Sequence, residues 1–145
     1  MQNVVIRSAK KQDYKEVINL FGKFVEDENR YKKKNSESFH KFIKTKNCFA
    51  DLAIIDGKIV GFVTYSIRTV VRYPTPILEV EEFFVLEKYR RLKIGKQLME
   101  KAISAAKKNR CYGIFLGSSK DRKPSHNFYK HTGFNEYGFH YRRKP

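Results

Sequence analysis

Residues 85–99, VLEKYRRLKIGKQLM, hold the densest chemistry in this chain. A β-branched, apolar strand ending at Val85 runs into the basic turn Tyr89, Arg90 and Arg91, and Gly95 sits where a strongly periodic helix begins. A strand, a basic turn and a helix N-terminus make an anion site. The first-turn N–H groups lack intrahelical partners, and the helix dipole adds partial positive charge. Arg90, Arg91, Lys93 and Lys96 surround that turn. A phosphate-bearing ligand fits it.

The elements that must position the turn lie on both sides of it. Val4, Val5 and Ile6 read as a short buried strand, and Asp13 with Glu16 three positions later forms a capping-box pattern. Val17, Leu20, Phe21 and Phe24 recur at helical spacing, and Ser36 or Ser38 opens a second helix carrying Phe39, Phe42 and Ile43. Asp56 and Gly57 separate two β-rich runs, 52–55 and 59–65, and supply the positive φ angles of a tight hairpin. Gly61 inside the second run marks a bulge or a close backbone approach. After a loop stiffened by Pro74 and Pro76, a strand covers 77–85. Ile94, Leu98, Ala102 and Ala105 then line one face of the next helix, and 113–117 forms a buried strand. Pro124 starts a last helix that Gly133 ends, and residues 136–142 read as a closing aromatic strand. The alternation predicts a mixed α/β sheet with helices on both faces.

The chain has 145 residues and is expected to form one domain, 1–145, with a core that needs no metal or disulfide. Twelve Phe and no Trp support a packed interior rather than disorder. No apolar run approaches the roughly 20 residues a membrane span needs, and Met1, Gln2 and Asn3 do not begin a signal peptide. Cys48 and Cys111 show no metal spacing and read as reduced, buried thiols, so cytoplasmic residence and no membrane partner are expected. The net charge of +16 would attract polyanions. Much of it is scattered over helix faces as solvated lysine, and residues 30–34 read as a basic connector between two helices. Aromatics sit at apolar periodic positions rather than interleaved with basic residues, which disfavours nucleic acid as the partner.

The turn resembles that of the GNAT superfamily of acyl-CoA-dependent N-acetyltransferases, which carries Gln/Arg-x-x-Gly-x-Gly/Ala there, usually after a Tyr. Arg90, Lys93 and Gly95 stand at those positions, with lysine replacing the first glycine. Glu81, Glu82, Phe83, Phe84 and Val85 resemble the family's fourth strand. Asn127, Phe128 and Tyr129 through Gly133 and Phe134 resemble its last motif, and residues 6–9 with Asp13 its opening. The resemblance implies a single-domain, mostly antiparallel mixed sheet with a splayed cofactor cleft between strands 4 and 5. It further implies acetyl-CoA as co-substrate, with its pyrophosphate on the turn from Arg90 to Lys96, Ile94 included. The pantetheine would lie along the backbone of Phe83, Phe84 and Val85, opposite Leu116, Gly117 and Ser118. The Val85 N–H would then stabilise the oxyanion.

Amine acetylation needs a neutral nucleophile, whereas an alkylammonium is mostly protonated at pH 7. Glu81 and Glu82 are the candidates to take that proton, and their adjacency on a strand predicts opposite faces. The polyamine-acetylating branch, whose motif wording is nearest, favours Glu81. The same resemblance makes Tyr129 the acid that protonates the departing thiolate. Arg122 replaces the Asn that many members use on the pantetheine, and it could reach the cofactor phosphates or the acceptor. His126 and His131 lie five apart, off the spacing of a helical metal pair, and no metal is expected.

The acceptor is open between a small-molecule and a protein amine. Glu26, Asp27 and Glu28 could hold a cationic amine or form a solvated helix end. The aromatic tail could serve a homodimer or a buried sheet edge. Two other readings stand beside the enzyme: an acyl-CoA-binding module without turnover, and a basic nucleic-acid-binding protein.

Overall fold

The computed structural model describes residues 2–25 and 34–145. They fall in two compact units, 1–115 and 116–145. The elements run β1 (Val5–Ser8), α1 (Tyr14–Val25), α2 (Lys34–Lys44), β2 (Cys48–Ile55), β3 (Lys58–Arg68), β4 (Ile77–Val85), α3 (Ile94–Lys108), β5 (Ile114–Leu116) and α4 (Lys123–His131). The five strands form one sheet in the order β1-β2-β3-β4-β5. The first three pairings are antiparallel. Tyr112 donates to the Pro76 carbonyl and Leu78 donates to Gly113, so the segment entering β5 runs in the direction of β4. A helical crossover such as α3 is what a parallel neighbour requires. The expected mixed, mostly antiparallel α/β sheet is present.

The β2–β3 turn has φ +49° at Asp56 and +75° at Gly57, the sign a two-residue hairpin needs at both positions. On one sheet face Val17 and Leu20 of α1 and Phe39 of α2 pack with Leu52, Ile59 and Phe62. The Phe21 and Phe62 rings lie 4.6 Å apart, and Phe24 meets Phe84 edge-on at 5.8 Å. On the other face α3 buries Ile94, Leu98, Met99, Ala102 and Ala106. Gly61 shows how close that helix comes: a Cβ there would lie 3.3 Å from Leu98 Cδ1 and 2.9 Å from the Phe84 carbonyl. Gly61 is thus a close approach, and helices cover both faces.

Several local expectations change. Asp13 ends a 3-10 turn, Lys11–Asp13, before α1. Its buried carboxylate accepts the Lys10 N–H at 2.7 Å and both guanidinium nitrogens of Arg7 at 2.8 and 2.9 Å. Glu16 accepts the Ile59 N–H at 3.2 Å. The box expected between Asp13 and Glu16 thus gives way: Asp13 turns back to Lys10 and Arg7, because a buried carboxylate needs a cation, and Glu16 to a distant strand. The described part of α2 begins at Lys34, so Ser36 and Ser38 lie inside it. Cys48 and Cys111 are free but only half-buried. The acidic run 26–28 and residues 30–33 of the basic connector lie outside the described residues.

In the second unit, Pro124 stands in the first turn of α4. Gly133, with φ +96°, ends that helix as expected. The tail forms no strand over 136–142, and Tyr137, Phe139 and Tyr141 are exposed. Alternation alone writes a strand-like pattern there, but a strand also needs a partner edge, which the local sequence cannot supply.

Candidate functional site

The turn after β4 is built from backbone conformations that side chains resist. Glu87–Tyr89 makes a 3-10 turn. Tyr89 then donates to Leu86 at 2.9 Å and Arg90 to Glu87 at 3.0 Å. Arg91 follows with φ +65° and Lys93 with φ +60°. Lys93, with ψ 12°, is the N-cap of α3 and has no side-chain cap hydrogen bond. Its carbonyl accepts the first bond of the helix, from Gln97 at 3.1 Å. Lysine therefore adopts the left-handed conformation that glycine would provide freely, at about 1–2 kcal/mol. Strain of this kind, held in place by its surroundings, collects at ligand clamps. The turn into α3 is thus left-handed at a lysine.

What results is a cluster of donors. The first-turn amides of α3, at Ile94, Gly95 and Lys96, have no carbonyl one turn back to bond. Arg90, Arg91, Lys93 and Lys96 are all exposed around them. Left-handed residues in a turn also gather successive N–H groups into an anion-binding hollow. Anions would be held by dipole, amides and four cations together.

The end of β4 presents its backbone to the side away from β3. Leu86 donates to Val60 at 2.9 Å, and Phe84 stands opposite Phe62 in the same register. Residues alternate along an antiparallel pair, so Phe83 and Val85 turn their N–H and C=O groups from β3. On that outer side the Arg90 Nε donates to the Val85 carbonyl at 3.0 Å. The Arg90 guanidinium also lies 5.7 Å from the Phe84 ring centre. Arg90 thereby ties the strand end to the basic turn.

The glutamates hold the main correction. Thr64 stands opposite Glu82, but Tyr65 stands opposite Val80, so Glu81 is an inserted bulge residue in β4. A bulge cancels strict alternation. Ser66 Oγ donates to Glu81 Oε1 at 3.0 Å, and Thr64 Oγ1 donates to Glu82 Oε2. Thr64 and Ser66 are two apart on β3, so both carboxylates share one face, the face of Phe62 covered by α1 and α2. The expectation of opposite faces fails. Glu79 joins them opposite Ser66 and pairs with Arg68 at 2.6 Å. Burial, with the negative charge of Glu81 added, pushes the Glu82 carboxyl up from 4.5 to about 7. Glu81 is exposed. Of the pair, Glu82 has the properties of a base poised near neutral pH.

In the second unit, the loop before α4 folds back on itself. Arg122 donates its N–H to Ser119 at 3.1 Å, and His126 Nε2 lies 2.8 Å from the same carbonyl. His131 Nδ1 lies 2.7 Å from the Asn127 carbonyl of its own helix. Both histidines serve local structure, and among the described residues no group of acids, histidines and cysteines could hold a metal. Tyr129 is half-buried, with Phe128 and Phe134 edge-on at 5.7 and 6.0 Å. Burial pushes its phenol upward while the Arg122 charge pulls it down, so it keeps its proton at neutral pH. Ser118 is exposed.

Sequence reasoning missed Thr64 and Ser66. Neither carries a motif, and only the β3–β4 register places them against the glutamates.

A family model described as the acetyltransferase (GNAT) family matches residues 13–134. Solved structures share the fold. A transcriptional regulator from Bacillus halodurans C-125 is 24% identical with a TM-score of 0.89, covering 98% of this chain and 99% of its own. The aminoglycoside N-acetyltransferase AAC(6')-Iy, in complex with CoA, is 19% identical with a TM-score of 0.85, covering 100% and 97%. An aminoglycoside acetyltransferase from an uncultured soil metagenomic sample, in complex with sisomicin, is 20% identical with a TM-score of 0.85, covering 98% and 96%.

Proposed function

This chain belongs to the acetyltransferase (GNAT) family, and from that premise we propose that it transfers acetyl from acetyl-CoA to a primary amine by direct attack. The observation that carries the reading is the start of α3, uncapped by any side chain behind a left-handed Lys93. Its donor set, backbone amides with Arg90, Arg91, Lys93 and Lys96, suits the phosphates of the co-substrate. Acetyl-CoA would supply an activated carbonyl and a thiol leaving group. Phe83, Phe84 and Val85 would hold its arm by their backbone, with Ser118 and Arg122 as further contacts from the family resemblance.

The remaining chemistry falls to the chain's own residues. Glu82 takes the ammonium proton of the acceptor, because a carboxyl near 7 is partly ionised at neutral pH and so is available as a base. Glu81, exposed beside it on the same face, holds the cationic acceptor. The Val85 N–H bonds the carbonyl oxygen as that atom gains charge. Tyr129 gives its hydroxyl proton to the leaving sulfur. The carboxylates Glu79, Glu81 and Glu82 face the side covered by α1 and α2, which favours a small cationic amine. That agrees with the aminoglycoside acetyltransferases among the similar folds.

The test is titration calorimetry with acetyl-CoA at two salt concentrations, followed by thiol release against spermidine, sisomicin and a lysine peptide. Micromolar binding that survives moderate salt, with turnover of one amine, is expected. Tyr129→Phe should keep its affinity and lose at least a hundredfold in rate. Absence of binding at either salt would sink the proposal. Binding without thiol release on any amine would favour the acyl-CoA-binding module, and salt-sensitive retention on DNA without competition by CoA the nucleic-acid reading.

A further inference from the structure

Thr64 is one of three buried polar or charged residues among those described, at 6% exposed, and it lies at the heart of the β3–β4 bulge. Its hydroxyl makes two bonds to a single residue. It donates to Glu82 Oε2 and accepts the Glu82 backbone N–H at 3.0 Å. The inserted Glu81 disrupts the ladder at this point, and a bulge leaves local backbone groups in need of partners. One hydroxyl therefore links the amide and the carboxylate of the same glutamate. Valine would fill the space of threonine and make neither bond.

We propose that Thr64 is the positioning residue of the acetyl transfer, fixing the bulge and holding the Glu82 carboxylate for the acceptor amine. The inference rests on Glu82 being the base. With Oε2 committed to Thr64, no other described donor is placed against Oε1, which is left for the ammonium proton. Other polar groups share this face. They are Glu79 and Glu81 on β4, Ser66 and Arg68 on β3, and Cys48 on β2, whose thiol is pushed up by burial and by Glu81. From α1 the contact is the Phe24 ring on Phe84, and from the basic turn it is Arg90 over the same ring. Among these groups Thr64 alone is bonded to the Glu82 carboxylate.

The donated bond favours the ionised carboxylate, while the charge of Glu81 opposes it. Removing each should move Glu82 in opposite directions. The experiment follows the glutamate carboxyl carbons by NMR through a pH titration, with Glu82→Gln to assign the signal. Thr64→Val should raise the Glu82 titration by about one pH unit, the size expected for one hydrogen bond to a charged group. Thr64→Ser should restore it, and Glu81→Gln should lower it. Where Thr64→Val fails to fold, Thr64→Ala carries the same expectation. The acidic limb of the rate profile should shift with the titration for any amine turned over. An unmoved titration in both Thr64→Val and Thr64→Ala would overturn the inference. Full activity with an intact acidic limb in Glu82→Gln would instead remove Glu82 as the base.

Discussion

Replacing Glu82 by Gln should stabilise the protein at pH 8 while removing its proton-accepting group. Glu82 is raised from 4.5 to about 7, first by desolvation and then by the charge of Glu81. A carboxyl raised on folding binds protons more tightly in the native than in the unfolded state. Its favourable contribution is therefore complete below pH 4.5 and is lost as the pH rises toward 7. Over that window the wild type should lose about 3 kcal/mol relative to a residue that does not titrate. Glutamine keeps the shape and still accepts the Thr64 hydroxyl, so it should escape that loss. Urea unfolding of both proteins at pH 5 and pH 8 measures the difference. The gain of Glu82→Gln over wild type should be about 2–3 kcal/mol larger at pH 8 than at pH 5. A gain that is equal at the two pH values would show that Glu82 titrates as an ordinary carboxylate, and the assignment of the base would lose its physical ground. A stabilised, slowed variant is the expected mark of a group held in a costly state for function.

Three further outcomes test the scaffold. Lys93→Gly should raise stability by about 0.5–1 kcal/mol, since it relieves a left-handed lysine at some cost in chain entropy. Lys93→Ala should give no such gain, and acetyl-CoA affinity should fall no more than a few-fold in either; thermal melts with calorimetry decide this. Gly61→Ala should cost about 1–3 kcal/mol, read by urea unfolding, because the new methyl would meet the Phe84 carbonyl at 2.9 Å. Asp13→Asn should cost about 1–2 kcal/mol at pH 7 through its bonds with Arg7. The Asp13 carboxyl is held below 3.8 chiefly by that guanidinium. Its stabilisation is thus present above pH 3.8 and lost on further acidification, so the gap between variant and wild type should close there.

Much of the fold was legible because the signals are local. The 3.6-residue spacing of Val17, Leu20, Phe21 and Phe24, and of Ile94, Leu98 and Ala102, marks faces that do pack on the sheet. The positive φ of Asp56 and Gly57 follows from their residue types. Where a local signal has a tertiary competitor, it misleads. Glu16 bonds the Ile59 amide rather than closing a capping box, and the alternating tail forms no strand.

The candidate site divides along the same line. Sequence by itself determined the basic turn, the glycine at the start of the periodic helix and the presence of two carboxylates near the end of the preceding strand. Those depend on residue identity and short-range spacing. Tertiary structure decided what the carboxylates are. A single inserted residue in β4, visible only against the register of β3, brings Glu81 and Glu82 to one face and leaves Glu82 half-buried beside an exposed Glu81. It also decided that Lys93 adopts a left-handed backbone. Register and left-handed backbone are set by packing between distant segments, and no spacing within 77–95 encodes them.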